Sequence, residues 1–292
     1  MTIMTQELSA KRYFRSSRRG TGIILWLCCM FVVSLTTYHF AQQQIRNEAS
    51  QVLDSYAARL AIELDKYRTL PKVLTLHPVL RQALTSDKSQ AIEQANLLLT
   101  KYNQSLSSDV VYLIDKKGVT LAASNWQQAS SFVGSDYHFR PYFQQAIRGE
   151  PGSYFALGTV SGKRGYYFSY PVINNGVILG VLVLKVSLKA LEEGWPEQPV
   201  HFLLTDLNGV VFYSSHAQWN YKALTPLSSD VENELVRQMQ YGGKQIPALT
   251  NSDSNEALLS KTQLTLPVNS RDTLFLQTST DMPQVGWRLI AL

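Results

Sequence analysis

Gly22 to Phe40 is an unbroken run of nineteen residues without a charged side chain, dominated by Ile, Leu, Val, Phe, Met and Trp. At helical rise it covers roughly 28 Å, about one hydrocarbon core. A secretory signal would have a shorter apolar core, followed by small residues at a cleavage site. Here Tyr38, His39, Phe40 and a Gln run follow instead. The run therefore predicts an uncleaved transmembrane helix. Residues 1–21 before it hold Lys11, Arg12, Arg15, Arg18 and Arg19 against Glu7 alone. Basic flanks stay on the cytoplasmic side, so the tail is expected inside a bacterial inner membrane and the chain beyond Phe40 in the periplasm. The formal net charge of +5 belongs mostly to the tail. The remainder is near neutral, which excludes a nucleic-acid surface for the outer region. Cys28 and Cys29 both fall inside the apolar run, so neither a disulfide framework nor a Cys metal site is expected outside it.

Beyond the run, Ile45, Ala49, Val52, Tyr56, Leu60, Leu64 and Tyr67 recur at steps of three and four, with charged residues between them. This predicts an amphipathic helix that begins a helical stalk over 41–105. Its stripe either packs on its own domain or also pairs with a second copy. Pro71 and His77-Pro78 interrupt the pattern, and a second helical stretch covers Gln90 to Gln104.

After Ser108 the period changes to that of strands. Val110 to Ile114, Asp115-Lys-Lys-Gly118 and Val119 to Ala123 read as a hairpin with an Asp/Gly turn. Ninety-one residues later the design returns as Phe202 to Thr205, Asp206-Leu-Asn-Gly209 and Val210 to Tyr213. Two such hairpins a domain's length apart suggest a duplicated unit. Each unit closes on a hydrophobic strand, Val177 to Val186 in the first. In the second, Thr273 to Thr280 precedes Val285 to Leu292. Gly, Trp and two Pro between 193 and 199 mark the boundary, giving units over 106–192 and 193–292. The fold class expected is α+β, with antiparallel sheets covered by helices.

The candidate site lies in the first unit. Between Trp126 and Lys185 the only carboxylates are Asp136 and Glu150, while aromatics, hydroxyls and fixed positive charge are frequent. Arg140 offers a planar fork of donors that suits a carboxylate. Lys185 interrupts the apolar strand Val181 to Val186, where a lysine must face water or a partner. Two cations on facing walls would clamp a small molecule with a carboxylate at each end. Tyr137, Tyr142, Thr159, Ser161, Tyr167 and Ser169 supply neutral hydrogen bonds. Tyr167 and Ser169 should share one strand face, and Tyr166, Phe168 and Tyr170 the other. The plainer alternative pairs Arg140 with Asp136 and leaves Lys185 exposed on an edge strand.

Leu121 to Trp126, Phe132-Val-Gly134, Tyr137-His-Phe-Arg-Pro-Tyr-Phe143, Gly165-Tyr-Tyr-Phe-Ser169 and the Lys185 strand resemble the sensor region of the four-carbon dicarboxylate sensor histidine kinases. Phe212-Tyr-Ser-Ser215 and Trp219 look like that family's second module. The resemblance implies two tandem PAS-like modules of double-Cache architecture outside the membrane. The membrane-distal one would bind succinate, fumarate or malate. It also implies that Arg140 and Lys185 are the ligand cations and that Tyr137, Thr159, Ser161 and Ser169 hydrogen-bond the ligand. Homodimerisation, and a cognate response regulator reached through a kinase domain, follow from the same resemblance. The sequence ends at Leu292 after the Gly286-Trp287 strand, without a second apolar span or a Gly-rich nucleotide loop. Kinase activity, with its ATP and magnesium, is thus expected of a parent protein, and no cofactor of this chain itself.

Catalysis finds little support. The five His residues lack metal-ligand spacing, and neither a nucleophile elbow nor paired catalytic carboxylates are present. The other class considered is a chemoreceptor or cyclase input domain for an amino acid, with Asp136 facing the ammonium. A protein-docking scaffold without a small ligand is the third.

Overall fold

The computed structural model of the protein describes residues 3–86, 88–188, 201–261, 263–269 and 271–292, with side chains from residue 26 onward. The chain divides into two compact units, Met1–Gln51 and Val52–Leu292. Helix α1 (Ile3–Arg68) supplies the first unit and continues into the second. In the first unit Trp26, Phe31 and Phe40 are exposed. Among the described residues no helix is long and apolar enough to cross a membrane.

In the second unit α1 buries Leu53, Ala57, Leu60 and Leu64. Their steps of four and three make a single stripe. Of the expected stripe, Leu60 and Leu64 are in the core and Tyr56 and Tyr67 pack against it, Leu53 and Ala57 join them, and Val52 and Ile45 are exposed. The stripe joins a core that includes Val111 and Leu113 as well as Phe202, Leu204 and Trp287. Short helices α2 (Leu70–Leu74) and α3 (Pro78–Thr85) follow. Both carry Pro in their first turn, where the missing N–H costs nothing. The His77 ring accepts from the Val79 N–H at 3.3 Å, so this residue caps a helix. Helix α4 (Ser89–Leu106) completes the helical layer.

The first sheet contains β1 (Val110–Asp115), β2 (Thr120–Ala123), β3 (Gly152–Leu157), β4 (Arg164–Asn174) and β5 (Val177–Ser187) in the order β2-β1-β5-β4-β3. Helix α5 (Pro141–Ala146) lies between β2 and β3 in sequence. The first five residues of β1 are all buried, as a continuous apolar run covered on both faces requires. One face meets Leu80, Leu99 and the α1 stripe; the other meets Phe132, Tyr142 and Phe143.

The second sheet contains β6 (Phe202–Asp206), β7 (Val210–Ser214) and β8 (Lys222–Ala223), followed in the chain by α6 (Ser229–Arg237) and α7 (Asn255–Leu259). Strands β9 (Gln263–Val268) and β10 (Arg271–Leu276) form a separate hairpin. Strands β11 (Thr278–Met282) and β12 (Trp287–Ala291) complete the sheet in the order β11-β12-β6-β7-β8. The stretch Thr273 to Thr280 that precedes the closing strand is divided between β10 and β11. They are separated at Gln277, whose buried amide donates to the carbonyls of Leu258 and Lys261 at 2.9 and 2.8 Å.

The two sheets repeat one device ninety-one residues apart. Asp115 Oδ1 accepts from the N–H groups of Lys117 and Val119 at 2.8 and 2.9 Å. Asp206 Oδ1 accepts from those of Asn208 and Val210, both at 2.9 Å. Gly118 and Gly209 both adopt positive φ, 96° and 81°, a region in which glycine is favoured. The strand register shifts between Leu113 and Ile114 in one hairpin and between Leu204 and Thr205 in the other. Ser124 Oγ accepts from Val111 N–H, and Ser215 Oγ from Phe202 N–H. The boundary expected near 193–199 lies outside the described residues.

Candidate ligand-binding site

The site face of the first sheet carries Tyr112, Val183, Lys185 and Tyr167. Tyr167 stands opposite Lys185 in the β4–β5 ladder, and Tyr112 opposite Val183 in the β1–β5 ladder. Tyr166 and Phe168 point into the helix-covered core, so the expected alternation along β4 is realised. Burial of Lys185 is complete and that of Arg140 nearly so, at 0% and 1% exposure. An exposed edge lysine is therefore not what the fold makes. β5 is an interior strand.

A buried ammonium needs partners. Lys185 Nζ donates to Ser161 Oγ at 3.1 Å and pairs with Asp109 Oδ2 at 2.5 Å. It also lies 5.9 Å from the centre of the Phe132 ring. Gly165 makes this course possible, because a Cβ there would sit 2.6 Å from Lys185 Cε.

Arg140 is the residue just before α5 and approaches the site from above the sheet. Its guanidinium donates to the Leu157 carbonyl at 2.9 Å and to the Gln238 and Met239 carbonyls at 3.1 and 3.2 Å. These partners are dipoles rather than anions. Its Nε is buried without a partner among the described residues. The alternative pairing with Asp136 is not formed. Asp136 is exposed and accepts from the backbone N–H and ring of His138, both at 2.9 Å. The His138 N–H holds its carboxyl below the usual range.

Tyrosines fill the space around the two cations. Tyr142 stacks on Tyr167 at 5.1 Å between ring centres, and the Tyr112 hydroxyl donates to that of Tyr142 at 2.8 Å. Tyr137 is buried, whereas Thr159 is exposed. Burial pushes the phenols of Tyr112, Tyr137, Tyr142 and Tyr167 upward, while the charge of Arg140 pulls those of Tyr137, Tyr142 and Tyr167 back. All four stay neutral hydrogen-bonding groups at physiological pH. Ser169 lies deeper, donating to the Tyr142 carbonyl at 2.7 Å, and so fixes α5 against β4.

Thus Arg140, Lys185, Tyr137, Tyr142, Thr159, Ser161 and Tyr167 gather around one aromatic cluster, with Ser169 beneath it. Sequence reading missed Asp109, seventy-six residues before its partner Lys185. Its signal was available: the residue entering the strand that pairs with a buried lysine is the first place to seek a countercharge.

Two antiparallel sheets that share a four-strand arrangement, one bearing a buried cluster of cations and phenols, give the fold of a sensor domain. The chain belongs to the DctB sensor family. It is 34% identical to the sensor domain of the histidine kinase DctB from V. cholerae, covering 85% of this chain and 96% of that one with a TM-score of 0.77. It is 35% identical over 279 residues to the C4-dicarboxylate transport sensor protein DctB of Pseudomonas aeruginosa. There it spans 95% of this chain but 42% of the relative's length. The ligand-binding domain of the Campylobacter jejuni chemoreceptor Tlp3, solved with 4-methylisoleucine, has the same fold at 13% identity, covering 85% of this chain and 90% of that one with a TM-score of 0.56. No protein-family model matches the chain.

Proposed function

We propose that the chain is the extracytoplasmic sensor region of a membrane-anchored two-component histidine kinase, and that its first sheet binds succinate, fumarate or malate. The observation that carries this reading is the burial of two cations, Arg140 and Lys185, of which, among the described residues, only Lys185 is ion-paired, with Asp109. Burying a charge without a countercharge costs several kcal/mol. A dianion supplies what is lacking: one carboxylate for Arg140, whose Nε has no acceptor, and one shared between Lys185 and Ser161. Tyr137 and Thr159 hydrogen-bond the ligand between them.

The two sheets are read as tandem PAS-like modules of double-Cache type, supported by their repeated hairpin and closing strand. The anchor is supported by the uncharged run from Gly22 and by the exposure of Trp26, Phe31 and Phe40. Arg140 links the ligand to the rest of the molecule. The carbonyls it holds, Gln238 and Met239, follow directly after α6. A ligand carboxylate that draws on the guanidinium changes those bonds. It shifts the signalling balance by its differential affinity for the two states. Dimerisation and a downstream kinase acting on a response regulator complete the proposal.

A second reading, an amino-acid ligand, now rests on Asp109, which puts a carboxylate inside the pocket where an ammonium could meet it. Calorimetric titration of the full chain with succinate, acetate and alanine separates the two. The proposal expects succinate to bind and acetate to bind at least roughly tenfold more weakly, because one cation stays unpaired. Equal affinity for acetate, or preference for alanine, would remove the two-ended clamp.

A further inference from the structure

A cavity of about 420 Å³ opens between the outer edge of the first sheet and the second sheet, a volume typical of small-molecule sites. Tyr154, Phe155, Tyr166, Glu234, Gln238 and Trp287 form much of its wall. Its chemistry is the reverse of the pocket around Arg140. Among the described residues that line it there is no Lys, Arg or His, whereas both Asp206 and Glu234 are present.

The two carboxylates differ in availability. Asp206 is buried, its oxygens taken by two backbone N–H groups and by the Tyr241 hydroxyl at 2.8 Å. It contributes a fixed negative wall. Glu234 is part-exposed and pairs with Arg237, which is itself 75% exposed. The other Glu234 oxygen accepts from the Gln238 amide; contacts of this kind at the rim are worth little, so a ligand ammonium competes for the carboxylate. Arg68, which donates to the carbonyl of the lining residue Gln284, is already paired with Asp65 at 2.7 Å.

Aromatic surface supplies the rest. Trp287 meets Phe155 and Tyr166 edge to face, at 5.8 and 5.3 Å between ring centres. The Tyr154 hydroxyl lies 2.6 and 2.8 Å from the side-chain oxygens of Gln238 and Gln240. Carboxylates, amide oxygens and π-faces together attract a cation and its N–H or N-methyl groups. An anion there would meet two carboxylates, and among the described residues no cation lines the cavity itself.

We propose that this cavity is a second ligand site, for a small organic ammonium ion. It is distinct from the dicarboxylate site, although Gln238 lines it and gives its carbonyl to Arg140. The test is calorimetry on the full chain with choline and ethanolamine, beside 3,3-dimethylbutan-1-ol as the neutral isostere of choline. At least one ammonium should bind at a single site, and the isostere much more weakly. Glu234→Gln should weaken that binding on the order of tenfold, the loss of one charge-assisted contact. Val231→Phe, which places a ring in the cavity from α6, should abolish it. Succinate titrated into both variants should behave as in wild type, which separates failure of this site from failure of the first. Absence of binding by both ammonium ions, equal binding of the isostere, or wild-type affinity in Glu234→Gln would each overturn the proposal.

Discussion

The two sheets share a backbone plan and differ in what stands on it. Val110 and Lys185 face each other across β1 and β5; the equivalent pair in the second sheet is His201 and Leu292. Tyr112 opposite Val183 becomes Leu203 opposite Ile290. The second face is filled by aliphatic side chains together with Trp219, with Leu264, Leu266 and Phe275 of the β9–β10 hairpin packed against it. The first leaves its ends polar. One scaffold therefore carries either an apolar face or a polar face with a buried cation, and the choice turns on a few positions. Lys185 and Tyr112 are where the two sheets part.

The largest expected effect comes from making the first sheet like the second. Lys185→Leu installs the residue of the equivalent position. It should cost succinate binding roughly 2–5 kcal/mol, the range for removing one partner of a buried charge pair. Urea unfolding should show a loss of stability as well, up to roughly 3–5 kcal/mol, because Asp109 is left without its partner. Retained affinity would mean that the difference between the faces is not what makes the pocket.

A smaller contrast lies in the repeated turns. Asp115 and Asp206 cap the same hairpin, but Asp206 also accepts from Tyr241, a residue 4% exposed. Asp206→Ala leaves that hydroxyl with no carboxylate to receive it. It should lower stability by about 1–3 kcal/mol more than Asp115→Ala, the cost of an unsatisfied buried group. Paired denaturant titrations measure the gap, and equal losses would show that Tyr241 finds another acceptor.

Much of this architecture can be read from residue order, and the reasons are local. Asp-x-x-Gly between apolar runs specifies a turn whose bonds form within five residues. A lysine inside an apolar strand announces that it has a partner. What stays illegible is long-range and unmarked. The partners of Arg140 are backbone carbonyls at 157, 238 and 239, and a carbonyl has no sequence signature. The break at Gln277 depends on carbonyls of Leu258 and Lys261 presented by another segment. On α1 the pattern marks Tyr56, Leu60, Leu64 and Tyr67, but that Leu53 and Ala57 are buried beside them depends on the core that the sheets bring to the helix.

The central claim is that Arg140 is the cation that holds one end of a dicarboxylate. Calorimetric titration of succinate into Arg140→Ala, confirmed folded by circular dichroism, addresses it directly. The account predicts affinity lower than wild type by roughly 2–5 kcal/mol, with Arg140→Lys, which keeps the charge but loses the fork, falling between. Unchanged succinate affinity in a folded Arg140→Ala chain would contradict it.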